Sequence, residues 1–192
     1  MTAPSRLWVV RHGQTAWNLE GRFQGHADQP LNAAGLQQAR DLAPQLTGLG
    51  CVALYSSDLV RAATTASVLG EALGMPVRRH AGLREIDQGL WEGLGVDEIR
   101  ARFSTEWQAR STDPLAARPP GGESLAEMAA RVWAAADDIA RAHPGAQVLV
   151  VSHGLSLAAI ICRARGLPLA RAFDHIPDNC RPEALDWMPG SA

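Results

Sequence analysis

Two short stretches hold the residue types best suited to chemistry. Leu7-Trp8-Val9-Val10 is an apolar run that ends in Arg11-His12-Gly13, and Val148-Leu149-Val150-Val151-Ser152 ends in His153-Gly154. A cation and an imidazole at the end of a buried strand are costly unless something binds there. Gly13 adds no side chain, so its backbone N–H is expected to approach a ligand closely. Ligands of open α/β sheets sit beyond the carboxyl ends of the strands. If the two strands are neighbours, His12 and His153 therefore face one crevice. Arg61 falls in the first turn of a helical pattern, where the helix dipole disfavours a cation unless an anion is held nearby.

Arg11, Arg61 and two imidazoles, with no compensating acid cluster, make a pocket for a dianion. Arginine forks match phosphate oxygens in bidentate fashion. Neighbouring cations lower an imidazole pKa and keep the ring neutral and nucleophilic at pH 7. Phosphoryl transfer asks for little beyond positioning and charge stabilisation, and a histidine can accept the phosphoryl group covalently. The leaving alcohol still needs a proton donor. Glu85 is the leading candidate, with Asp87 and Glu92 as rivals, all in the irregular, glycine-rich stretch 83–95.

The elements that must position these groups alternate between strand and helix. Strands are expected at 7–10, 52–56, 76–80 and 147–152. Asn32 reads as the N-cap of a helix that carries Leu36, Ala39, Leu42 and Leu46 inward. Ser57 or Asp58 is expected to cap the helix of Arg61. Residues 19–30 read as a polar loop, 96–103 as a short helix and 111–122 as a mobile Pro/Gly-rich segment. Ser124 and Glu127 form a capping box that opens a long amphipathic helix. A helix over 155–165 follows the second key strand. Residues 177–187 are expected to end in an edge strand, since Pro182 cannot sit in a central one. The alternation predicts an α/β fold, a three-layer α/β/α sandwich around a mainly parallel sheet. A single domain over 1–192 is expected, with 87–122 as a small lid or specificity insertion.

Composition narrows the function classes. The net charge of −2 offers no basic field for nucleic acid or membrane. All 18 basic residues are arginine, which removes Schiff-base chemistry and the lysine-dependent phosphate loops. Cys51, Cys162 and Cys180 form no zinc or redox pattern, and free thiols suit a reducing cytoplasm. Residues 1–6 carry no signal-peptide core, so a cytoplasmic protein is expected. A metal site built from His12, His153 and Glu85 is opposed by the neighbouring cations. His26, His80, His143 and His175 follow no buried strand; His26 alone lies near enough to the first motif to touch substrate.

Arg11-His12-Gly13 with Thr15 and Asn18 resembles the signature of the histidine phosphatase superfamily, which includes the cofactor-dependent phosphoglycerate mutases. Gln24 to Gly35, Ser56 to Ala66, the stretch around Glu85, and Ser152-His153-Gly154 resemble its further segments, in the family's order. The resemblance covers nearly the whole chain. It implies that His12 is the nucleophile that becomes phosphohistidine, and that Arg11, Arg61 and His153 hold the phosphoryl oxygens. It further implies that Glu85 is the acid and later the base, and that Asn18 and the Gly154 amide contact phosphate. Gln24 and Gly25 would line the pocket mouth. No metal or other cofactor is implied. The expected activity is hydrolysis of a small phosphorylated metabolite by a monomer or homodimer. Alternatives are a phosphoglycerate mutase, an α-ribazole phosphatase or a non-catalytic phospho-ligand module. The short stretch 91–123 and the absence of lysine favour hydrolysis over phosphate return. Arg181-Pro182 departs from the family pattern, which puts the last strand's pairing and the pocket wall in question.

Overall fold

The computed structural model describes residues 3–190. Met1 and Thr2, where the stretch checked for a signal peptide begins, and Ser191 and Ala192 lie outside the described residues. β1 (Ser5–Arg11) and β4 (Gln147–Ser152) are parallel neighbours, in register from Leu7 against Val148 to Arg11 against Ser152. β2 (Cys51–Ser56) pairs with the other edge of β4, and the short β3 (Val77–Arg79) pairs with β2, both parallel. β5 (Pro182–Trp187) closes the far edge, antiparallel to β1. The order is β3-β2-β4-β1-β5.

The unbroken apolar runs follow from burial on both faces of the sheet. Strand side chains alternate, so Val148 and Val150 join one core, while Leu149 and Val151 join the other. The first core is filled by α6 (Leu125–Ala142) and α7 (Gly154–Ala164), the second by α2 (Ala33–Leu46) and α3 (Val60–Leu73). Each fully buried Leu or Val contributes about 1.5–3 kcal/mol. The result is the expected three-layer sandwich. No helix among the described residues is long and apolar enough to cross a membrane.

The caps at Asn32 and Ser124 are present, each accepting a backbone N–H from the first turn of its helix. The expected cap of α3 is not. Leu59 occupies the N-cap without a side-chain bond, and the Asp28 carboxylate accepts the Val60 N–H at 2.6 Å from a separate loop. Asp58 instead holds Arg84 through two bonds of 2.5 and 2.7 Å. Two helices were not expected: α1 (Ala16–Glu20), which runs into the expected 19–30 loop, and α5 (Ser104–Thr112), which directly follows α4 (Val96–Arg102). Residues 111–122 are not a free tether, because Leu115 O accepts from Ala126 N and Pro119 O from Gly122 N. Pro182 does not disturb the last strand. It opens β5 opposite Val10, at the sheet edge.

Candidate active site

β1 and β4 end side by side, and the residues after them meet. The His12 and His153 rings stand 5.2 Å apart between centroids. His12 is 3 % exposed, and Arg61 and His153 are 1 % and 0 % exposed. A cleft of about 280 Å³ is lined by Arg11, His12, Asn18, Gln24, Gly25, Arg61 and Glu85, with Phe23, Gln88 and Ile176 on its walls. His153 and Gly154 do not line it. They border it, the His153 ring beside His12 and Gly154 beside Arg11. Gly154 opens α7 where a side chain would press on Ile176 and touch the Arg11 guanidinium.

The His12 ring has a defined tautomer. Its Nδ1 is 2.7 Å from the Gly13 carbonyl; a carbonyl only accepts, so Nδ1 carries the proton and Nε2 the lone pair. Burial, then Arg61 and Arg11, hold the His12 pKa well below its usual value, outweighing the Gly13 bond. His153 is lowered likewise by burial, then by Arg61, His12 and Arg11. Both rings are therefore neutral at pH 7. Burial also lowers Arg11, and pushes Arg61 down to about 10. Two buried guanidinium groups beside two neutral imidazoles leave a strong unmet demand for negative charge.

Each arginine is already partly engaged. Arg61 donates from Nη1 to Ala27 O and from Nη2 to Gly25 O, at 2.8 and 2.7 Å, and its buried Nε has no partner among the described residues. Arg11 donates from Nη1 to Pro177 O at 3.0 Å, and its Nε is likewise unpartnered. Gly25, at φ 51, is in the left-handed region, so the loop that presents its carbonyl to Arg61 favours glycine there.

Glu85 sits across the N-terminus of α7. Its Oε1 accepts from Ile86 N and Ser156 N at 3.0 and 3.1 Å, and its Oε2 accepts from Leu155 N at 3.1 Å; the Ser156 hydroxyl lies 3.1 Å from Oε1 and gives its one proton to Arg84 O at 2.7 Å. Its backbone carbonyl is pinned by Arg131 and by His26 Nε2. The rivals are occupied elsewhere. Asp87 accepts from Gly89 N and Glu92 from His26 N, and neither lines the cleft. His26 thus ties two loops together and does not line the cleft.

Asn18 and Gln24 both approach Thr15. The Asn18 Oδ1 accepts the Thr15 backbone N–H at 3.0 Å, and the Thr15 hydroxyl lies 3.1 Å from Asn18 Oδ1 and Gln24 Oε1. Their amide nitrogens remain as donors. Gly13 differs from the expectation. Its N–H donates to Thr65 Oγ1 at 3.0 Å, and the missing side chain makes room for the Gly35 backbone, not for a ligand. Arg181 and Pro182, the departure from the family pattern, do not line the cleft. Asn179 Nδ2 donates to His12 O at 2.7 Å, and Arg181 pairs with Asp178 outside the lining. Sequence reasoning missed Asp28, Arg131 and the contact of Ser57 with His153, whose only signals are long-range partners.

The profile of the histidine phosphatase superfamily (branch 1) matches residues 7–192. The chain belongs to this superfamily. It is 37 % identical over 183 residues to a protein named "Probable phosphoglycerate mutase GpmB" from Enterobacter sp. (strain 638), covering 95 % of this chain and 85 % of that one. Two solved histidine phosphatase folds are also similar. A mycobacterial glucosyl-3-phosphoglycerate phosphatase is 34 % identical at a TM-score of 0.84, covering 93 % of this chain and 90 % of that one. The α-ribazole phosphatase of Shigella flexneri is 30 % identical at a TM-score of 0.84, covering 94 % and 90 %.

Proposed function

We propose that this histidine phosphatase superfamily member is a phosphomonoesterase that hydrolyses a small phosphorylated metabolite through phosphohistidine at His12. The observation that carries the proposal is the neutral His12 ring, its Nε2 lone pair freed by the Nδ1 bond to Gly13 and flanked by Arg11 and Arg61. In the first step Nε2 attacks phosphorus and the ester phosphorus–oxygen bond breaks. Glu85 gives its proton to the departing alcohol oxygen. Oε2 suits that task, because it accepts one protein N–H where Oε1 accepts two. In the second step Glu85 takes a proton from water, water oxygen attacks phosphorus, and the phosphorus–nitrogen bond breaks to release phosphate and His12. Arg11, Arg61, His153, Asn18 and the Gly154 amide stabilise the equatorial oxygens, where charge is spread in the transition state. Gln24 and Gly25 shape the mouth.

Residues 87–122 act as the lid or specificity insertion of one domain, without metal or other cofactor. The names of the similar solved proteins favour a phosphorylated metabolite over nucleic acid. The protein is taken as cytoplasmic and as a monomer or homodimer. A phosphoglycerate mutase is the second reading, favoured by the GpmB-named relative.

A metabolite panel with phosphate release as readout, run with EDTA, tests the assignment. Metal-independent hydrolysis that disappears in His12→Ala supports it. Bisphosphoglycerate-stimulated interconversion with little hydrolysis favours the mutase, and binding without turnover a ligand-binding module.

A further inference from the structure

Ser57 follows β2 and is fully buried. Its backbone N–H donates to Val151 O at 3.0 Å, which fixes it against the end of β4. Its hydroxyl oxygen lies 3.3 Å from Leu59 N and 2.8 Å from His153 Nε2. The other ring nitrogen, His153 Nδ1, is buried without a partner among the described residues. A hydroxyl has one proton and two lone pairs. Leu59 N–H takes one lone pair, so the proton is available to Nε2.

Two proton arrangements are open to this pair. If His153 Nε2–H donated to Ser57, the serine proton would have no acceptor among the described residues and Nδ1 would present a bare lone pair. If Ser57 O–H donates to Nε2, the hydroxyl is satisfied and Nδ1 carries the N–H. Only the second arrangement offers the phosphoryl group a donor; a lone pair would repel its oxygens. The His12 ring is 5.2 Å away, so a phosphoryl group on His12 forms beside the His153 ring.

We propose that Ser57 is a positioning residue that holds His153 as the Nδ1–H tautomer, so that this N–H, with no competing acceptor among the described residues, serves as a phosphoryl-oxygen donor. The inference rests on the phosphohistidine reading for its catalytic consequence. The tautomer itself does not depend on turnover. The contact also explains why a serine is buried here although it caps no helix by its own side chain: its hydroxyl serves the histidine 96 positions away.

The test combines ¹⁵N NMR of the histidine side chains with kinetics on the full chain. His153→Asn assigns the resonance. Wild type is expected to show His153 protonated at Nδ1, with that N–H shifted when inorganic phosphate binds. Ser57→Ala is expected to lose the single tautomer, to weaken inorganic phosphate binding by about tenfold or more, and to lower kcat by about 10- to 100-fold. Ser57→Thr keeps the hydroxyl and is expected to restore the tautomer and most of kcat. An Nε2–H tautomer in wild type overturns the proposal. So does a Ser57→Ala protein with the Nδ1–H tautomer and phosphate affinity intact. If wild type forms no phosphohistidine, while Ser57→Ala still changes tautomer and phosphate affinity, the hydrolytic reading fails and the positioning role stands.

Discussion

At the floor of the cleft, Arg11, His12 and His153 stand at strand ends and Arg61 in the first turn of a helix, and each is held by hydrogen bonds to backbone groups. At its rim stands Phe23, backed by Trp91, Trp107 and Arg110 from residues 87–122, which lie outside the lining on short helical turns. The Arg110 guanidinium lies 4.7 Å from the ring centroids of both Trp107 and Phe173, 5.7 Å from Trp91 and 5.9 Å from Phe23. Phe23 also packs edge-on against both tryptophans, and it faces the cleft. The floor is thus specified by directional bonds, which tolerate no shift in the reacting atoms. The rim is specified by ring stacking and cation–π contact, which accommodate changes of shape. On the proposed function, such a division would put the reaction on the floor and leave selection of the leaving alcohol to the rim.

Substitutions that separate chemistry from selection test this division. His12→Ala is expected to have the largest effect, a loss of about 10⁴-fold or more in kcat, because the covalent route disappears. Steady-state hydrolysis checks it, with thermal melting to confirm the fold. Glu85→Gln should reduce kcat on an alkyl phosphate by about 10²- to 10⁴-fold. On 4-nitrophenyl phosphate, whose leaving group needs little protonation, the loss should be under about tenfold. Equal losses on both substrates would remove Glu85 from proton donation. Arg61→Ala should raise KM and lower kcat together, by about 10²- to 10³-fold in kcat/KM, since its charge serves the bound ester and the transition state. A change in melting temperature alone would make Arg61 a clasp for the Gly25 and Ala27 carbonyls and nothing more.

The same division sets what could be seen before folding. The floor was legible because its signals are local: an apolar run, then His12 or His153, then glycine. The two-faced sheet follows from those runs. Helix α5 was not legible, because Ser104–Thr112 buries no residue fully and so has no apolar stripe. Its place comes from Trp107 and Arg110 stacking on partners distant in sequence. The cap of α3 was misplaced for a similar reason. Ser57 and Asp58 are adjacent to the helix, but the donor at Val60 is met by Asp28, 32 positions earlier. Among the three acids, only the folded chain distinguishes Glu85, through its bonds to the first turn of α7.

Two smaller effects sharpen the contrast. Both floor histidines are buried and neutral, with pKa values held well below 6.5 chiefly by burial. Below pH 6.5 the unfolded chain binds protons that the native state does not, so stability falls as pH falls and levels off above that value. The slope between pH 6.5 and the native pKa values should reach about 1.4 kcal/mol per pH unit for each histidine, about 2.7 for both. Denaturant titrations at pH 7.5, 6.5 and 5.5 check this. His153→Asn should halve the slope, and an unchanged slope would show that His153 titrates normally. At the rim, Arg110→Met should cost about 1–2 kcal/mol of stability through lost cation–π contact. It should leave kcat within about threefold while shifting KM between leaving groups. A kcat loss as large as that of Arg61→Ala would collapse the distinction between floor and rim.

Acid-labile phosphate on the enzyme itself tests the central claim most directly. The protein is mixed with a turning-over phosphomonoester, quenched in mild base, digested and mapped by mass spectrometry. The expected result is a phosphoryl group on the peptide containing His12, lost on acid treatment and absent from His12→Ala. Phosphate on another residue, or steady hydrolysis with no trapped phosphoenzyme in wild type and Glu85→Gln alike, would contradict a reaction passing through His12.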